Sequence, residues 1–392
     1  MRGTARNHGL LQKGYIYQQR CGLAKKIRVK RVRDHKLNSV VRGQRELKKA
    51  WILFSIIGSS SESCVPLKCL NLHRTQLDIH PADHHPPKLS EYMTSYPDVF
   101  VESSFLDSKG RPRPGFGLTP QALKLYHKQA EILEKNQLEL RDRLCRLLML
   151  TRTKDRILPL ETIDQLQWDL GLPYDYLNCF VPNHPDRFSL VRLPDGRDGL
   201  KLLFWDDKLA VSELMKNASL QQDKEDIKND GSLAFPVSGF GMKKCMEWLE
   251  EWQKLPYTSP YTNASNSDRH TNEKRVVGIL HELLHLTLHK QTEVENLSNL
   301  CKPFMLHQNL TKVFERHLGI FYLSYNYYEK PTVVLREGYN GRELKQKHPL
   351  VRIRQKLANL LKERLDNDEN LYNSEEFGYD SDGFPIDIDK LF

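Results

Sequence analysis

His281-Glu282-Leu283-Leu284-His285 carries the residue types and spacing of a metal centre. Two histidines at i and i+4 lie on one helix face, so both imidazoles can reach one zinc ion while the glutamate polarises a water. His289 extends the row, and Glu293, Glu295 and Glu315 are downstream carboxylates able to supply a third ligand. The chemistry would be peptide hydrolysis. The helix that must position these groups argues against it. At about 100° per residue, Val277, Leu280, Leu283, Leu284 and Leu288 define the apolar face. Glu282, His285 and His289 fall round towards Lys274 and Arg275, with His281 on the flank. The spacing therefore predicts a solvated polar stripe on an amphipathic helix, not a dry wall for an ion. No metal and no cofactor is assigned, and a zinc metallopeptidase at His281 and His285 stands as the alternative. A P-loop, a G-x-S-x-G elbow and a dinucleotide fingerprint are all absent from the sequence, so no enzyme is expected. Cys145 and Cys179 fall on predicted helices as core thiols. The Gly-rich run Gly115–Pro120 opens a helix with Thr119 as its cap.

Three segments look like copies of one unit: SYPDVFVE (95–102), NHPDRFSLV (183–191) and RHLGIFYLS (316–324). In each, Pro or Gly stops a helix and a Phe opens a strand. The second copy is the most regular. Leu140, Leu144, Leu147, Leu148 and Met149 form a helical stripe over 138–151, and a second helix runs over 160–170 to Gly171 and Pro173 as its C-cap. A short third helix follows from Tyr174 to about Val181. Strands over 188–193 and 200–205 then flank the turn PDGRDG, a strong hairpin signal. The third copy predicts helices near 273–289, 293–301 and 308–316, then strands over 320–324 and 332–337. The first copy, over about 47–118, holds strands over 98–102 and 116–118 and is followed by a long helix from Thr119-Pro120 to about Asn136. Its stretch 58–88 is polar and rich in Pro and His, and HPADHHPP (80–87) excludes a helix interior. Three helices and a hairpin make each unit (47–118, 138–205, 273–337) winged-helix-like, and the chain α+β and mainly helical. Residues 221–232 read as a charged linker, and 256–271 as an extended loop.

Charge is distributed unevenly. The 392 residues carry a net +9, but residues 1–50 hold 15 Lys/Arg against Asp34 and Glu46, and 366–392 hold nine acids against Lys390. The body between is only mildly basic. The first 33 residues lack any acid, as an organelle transit peptide does; cleavage is expected near 20–22, giving a leader over 1–23. A basic RNA- or membrane-binding arm is the other reading of this segment. Scarce Ser and Thr favour the mitochondrion over the chloroplast. The segment 349–392 is expected to be a basic helix followed by an acidic disordered tail. Seven scattered cysteines suit a reduced compartment, and no apolar run approaches the roughly 20 residues of a membrane span.

The runs 146–191, 243–265, 276–297 and 317–339 are similar, in order, to the plant organelle RNA recognition domain family. The resemblance extends from about Arg28 to His348, within an expected domain over 24–348. Residues 58–88 depart from the family's first unit, and His285 stands where the family more often has a small or non-metal residue. The resemblance implies a nuclear-encoded organellar protein that binds intron RNA and promotes group II intron splicing with other splicing factors. It does not catalyse the reaction, since the intron is itself the ribozyme. A protein-interaction scaffold within an organellar RNA complex is a further alternative.

Phosphate contact needs Lys and Arg, and reading single strands needs aromatic or Arg stacking. The densest basic group is Lys25, Lys26, Arg28, Lys30, Arg31, Arg33 and Lys36. A second group, Arg141, Arg143, Arg146, Arg152, Lys154 and Arg156, lies on one helix and its exit. A third is Arg336, Arg342, Lys345, Lys347, His348, Arg352, Arg354 and Lys356. Tyr325, Tyr327 and Tyr328 on the third hairpin either stack bases or pack internally. Oligomeric state is not legible.

Overall fold

The computed structural model describes residues 33–60, 64–73, 77, 88–106, 109–222, 233–238, 243–262, 269–306, 309–326 and 329–361. The expected leader and acidic tail, the linker residues 223–232 and the segment 78–87 lie outside these. The chain is α+β and mainly helical. It divides into two compact units, one of residues 1–42 and 131–351, the other of 43–130 and 352–392.

The three copies carry sheets of like topology. Each holds a three-stranded antiparallel sheet in which the first strand pairs with the third and the third with the second. The sheets are β1 (Val65–Pro66), β2 (Phe100–Leu106) and β3 (Pro112–Leu118); β4 (Ile157–Pro159), β5 (Phe188–Arg192) and β6 (Asp198–Leu202); and β7 (Gln291–Glu293), β8 (Phe321–Asn326) and β9 (Glu329–Leu335). Phe100, Phe188 and Phe321 do open the second strand of each sheet, opposite Leu118, Leu202 and Leu335. Each Phe amide donates to a carbonyl four residues back, on Tyr96, His184 and His317. Each residue before the Phe accepts from the amide just past the third strand: Thr119, Leu203 and Arg336 at 3.0, 2.9 and 3.0 Å. The breaker before each Phe thus sets a turn that aims the strand, and the hairpin closes on that turn.

In the first compact unit, the second copy is built from α1 (Gln137–Met149), α2 (Leu160–Leu170) and α3 (Tyr176–Cys179), and the third from α4 (Arg269–Leu286), α5 (Val294–Cys301) and α6 (Leu310–Arg316). Gly171 caps α2 in the left-handed region at φ 75°, and a Cβ there would lie 2.5 Å from Leu288 Cδ1. The two copies share one hydrophobic core, which includes Leu147, Leu148, Leu166, Val277, Leu280, Leu283, Phe314 and Phe321. Polar ties join them: Thr292 Oγ1 donates to buried Asp169 at 2.7 Å, and Asn299 to Gln165 at 2.7 Å. Two helices the sequence reading did not name, α7 (Glu213–Gln222) and α8 (Lys243–Gln253), follow the second copy in the chain, and Trp248 and Trp252 are buried. The expected loop over 256–271 is free of helix and strand over 256–262, where it contributes buried Tyr261 to this core, and gives way to α4 at Arg269.

The second compact unit carries the first sheet. The long helix over His35–Ser59 supplies it with buried Trp51, Leu53, Phe54 and Ile57, and Phe54 meets Tyr126 edge to face at 5.7 Å. Gly58 is required there, since a Cβ would fall 2.4 Å from the Tyr126 ring. Parts of 58–88 are ordered, with β1 and a helical turn over Leu67–Leu70.

Several sequence expectations are corrected. The short first strands β1, β4 and β7 lack their own alternation and were invisible to a period-based reading. Strand β6 stops at Leu202, so Phe204 and Trp205 lie beyond the sheet. Cys179 is exposed rather than in the core, whereas Cys145 is buried. Helix α4 is no amphipathic surface helix: from Glu273 to Leu284 it is buried on every side.

Candidate nucleic-acid interface

The polar side of α4 is an internal network. Glu282 is fully buried, and its carboxylate accepts from Arg146 Nη2, from Tyr261 Oη at 2.7 Å and from the Glu213 amide at 2.8 Å. Burial opposes the charge on Arg146, but the Glu282 carboxylate prevails and raises the guanidinium pKa above its ordinary value. Glu273 likewise accepts from Arg316 at 2.8 Å and from His317 at 3.1 Å. The solvated stripe expected for Glu282, His285 and His289 is therefore wrong. A helical period reports which side is polar but not whether water or protein faces it.

His281 and His285 do converge, and their partner is Glu337 rather than Glu293, Glu295 or Glu315. Both Nε2–H groups point at one Glu337 oxygen, at 2.5 and 2.6 Å. Burial would raise the Glu337 carboxyl pKa, but these two donors outweigh it and hold the value at about 2. Among the described residues this is the group with metal-ligand geometry. Two ligands of one zinc ion stand about 3.3 Å apart at tetrahedral angles, whereas these atoms are at hydrogen-bonding distance. The carboxylate is held as a hydrogen-bonded clamp between α4 and the turn after β9. Glu282 is fully buried, and three of its roughly four acceptor sites are taken by Arg146, Tyr261 and the Glu213 amide.

The basic candidates separate into used and available. Lys25, Lys26, Arg28, Lys30 and Arg31 lie outside the described residues, as do Tyr327 and Tyr328. Arg33 and Lys36 are exposed. Arg141 pairs with Asp142 at 2.7 Å, Arg143 with Glu139 at 2.6 Å, and Arg146 is committed to Glu282. Arg336 donates to the Leu318 carbonyl at 2.7 Å and lies over Tyr322, while Arg354 is buried over Trp51. Tyr325 packs on the core. These cations serve the fold, contrary to the surface role expected of Arg146, Arg336 and Arg354. Arg342, Lys345, Lys347, Arg352 and Lys356 are exposed, Lys347 lying 3.8 Å from Glu343.

Lys154 and Arg156 remain, and the fold gathers them beside Arg152. They follow α1 and rim a cleft of about 280 Å³ whose floor is Met149, Thr151, Pro260 and Tyr261. The Arg156 guanidinium lies 4.5 Å from the ring centre of Trp205, whose indole donates to Asp207 at 2.8 Å. Lys154 is exposed and has no partner among the described residues. Trp205 lies beyond the strand end at Leu202 rather than within the strand expected over 200–205. Its signal was the aromatic run Phe204-Trp205 directly after the hairpin.

A family model described as the plant organelle RNA recognition domain matches residues 32–366. The chain is 33% identical over 344 residues to Protein WHAT'S THIS FACTOR 9, mitochondrial, of Arabidopsis thaliana, covering 86% of this chain and 85% of that protein. It is 28% identical over 347 residues to Protein WHAT'S THIS FACTOR 1 homolog, chloroplastic, of Oryza sativa subsp. japonica, covering 85% of this chain and 65% of that one. Protein ROOT PRIMORDIUM DEFECTIVE 1 of Arabidopsis thaliana is 28% identical over 349 residues, at 84% and 82% coverage. No solved structure matches.

Proposed function

Because the chain belongs to the plant organelle RNA recognition domain family, we propose that it binds organellar intron RNA and promotes group II intron splicing. It acts as a non-catalytic partner of the ribozyme alongside other organellar splicing factors. The family match over 32–366 carries this reading. The cleft with its basic, aromatic mouth supports it chemically, since single strands are held by phosphate contacts and stacking. Each copy is read as a winged-helix-like unit, with the hairpin as the wing. The mitochondrion is the proposed location, on the acid-free N-terminal segment and the relative whose name says mitochondrial; the chloroplast is the alternative. Among the described residues no helix is long and apolar enough to cross a membrane.

Immunoprecipitation of the tagged protein from isolated mitochondria, followed by sequencing of the bound RNA, tests the proposal. A few strongly enriched intron segments are the expected result. A profile equal to the untagged control removes the mitochondrial form of the reading.

A further inference from the structure

We propose that the cleft of the second copy seats one unpaired RNA nucleotide. Its base stacks on the Arg156–Trp205 pair and its phosphate rests on Lys154. This inference rests on the RNA-binding reading above and specifies the kind of RNA: single-stranded, not duplex.

Comparison of the two copies within one compact unit carries the argument. Arg156 and Lys290 are equivalent. Each directly precedes the first strand of its sheet, each has a left-handed backbone (φ 49° and 52°), and each carbonyl accepts from the last residue of the third strand, Leu202 at 3.1 Å and Leu335 at 2.8 Å. Three residues beyond those leucines stand Trp205 and Gly338. In the third copy the place is closed. The Lys290 stem lies on Gly338, where a Cβ would come within 2.8 Å, and its ammonium turns inward to the His285 carbonyl at 2.5 Å. In the second copy a tryptophan replaces the glycine, the connection spans 150–156 against 287–290, and the cleft is open.

The backbone at Arg156 costs about 1–2 kcal/mol relative to glycine, yet it carries a guanidinium held over an indole rather than an internal ion pair. Outside the cleft, Phe204 is 67% and Leu203 45% exposed, a large apolar surface that nothing among the described residues covers. Nearby acids are engaged: Asp155 with Lys201 at 3.3 Å, Asp206 with Arg187 at 3.4 Å, and Asp207 with the indole. Exposed Lys154 therefore sets the sign of the mouth. The floor is fixed because the Tyr261 hydroxyl is held by Glu282. A cleft of this size accepts a splayed base, which a duplex does not present; A-form helices offer phosphates and a shallow groove.

Fluorescence anisotropy of the full chain with an unstructured RNA 12-mer and with a hairpin duplex provides the test, using Trp205→Ala, Trp205→Phe, Lys154→Ala and the distant surface control Lys312→Ala. Trp205→Ala is expected to weaken single-strand binding about tenfold, with Trp205→Phe restoring most of it and duplex affinity unchanged. If Trp205→Ala and Lys154→Ala match Lys312→Ala while the wild type binds RNA, the cleft assignment falls and the RNA-binding reading stands. If the wild type binds neither RNA, both fall. Equal melting temperatures of wild type and Trp205→Phe ensure that the readout is binding rather than folding.

Discussion

Glu282 and Glu337 show how one residue pattern supports opposite chemistry depending on its surroundings. A buried carboxylate held by Arg146, Tyr261 and a backbone amide is a structural anion. Glu282→Gln leaves Arg146 with only the more distant Glu213 carboxylate, at 3.8 Å, and is expected to lower unfolding free energy by about 3 kcal/mol. The exposed Glu295→Gln should stay within about 0.5 kcal/mol; urea denaturation measures both. Glu337 makes a pH prediction. Its carboxyl lies at about 2 in the folded protein against 4.5 in the free side chain. The unfolded chain therefore takes up the proton first as pH falls. The contribution is complete above about pH 4.5 and is lost between there and about 2, on the order of 3 kcal/mol. Glu337→Gln should flatten that limb of the stability profile. The motif itself was legible at once, but its third partner was not. Glu337 lies 52 residues beyond His285, and only the folded third copy brings it under the imidazoles.

At the scale of elements, the three Phe-opened strands were readable because breaker, aromatic and alternation occur together within eight or nine residues. The helix over 160–170 and its Gly171 cap were equally plain. What escaped were features set by partners: the two- and three-residue first strands, and α4, whose polar side faces protein. Gly171→Ala should cost about 2 kcal/mol, combining left-handed strain with the contact on Leu288, as thermal unfolding would show. Arg156→Gly separates strain from use. Relief of the φ 49° backbone should leave stability unchanged or raise it by about 1 kcal/mol, while single-strand RNA affinity falls. A loss of both would mean that the arginine serves packing.

For the molecule as a whole, net charge misleads as a guide to binding. Much of the +9 comes from the basic end, while Arg143, Arg146, Arg336 and Arg354 are engaged within the fold. Charge reversal at Arg152, Lys154 and Arg156 together should weaken RNA binding and reduce the slope of log affinity against log salt by about 0.7, the value for one phosphate on a single strand. An unchanged slope would place the contacts elsewhere. The beginning of the first compact unit also depends on its end. Tyr322 Oη and Ser324 Oγ donate to Asn38 at 2.7 and 2.8 Å, and Arg336 reaches Asp34 at 3.5 Å. A ribosome releasing 5–20 residues per second needs about 15–60 s to travel between those positions. Throughout that interval the residues around Asp34 and Asn38 wait without their docking surface. The second copy can assemble early, but the unit as a whole closes only when its last hairpin emerges, which sets a long window for chaperone capture.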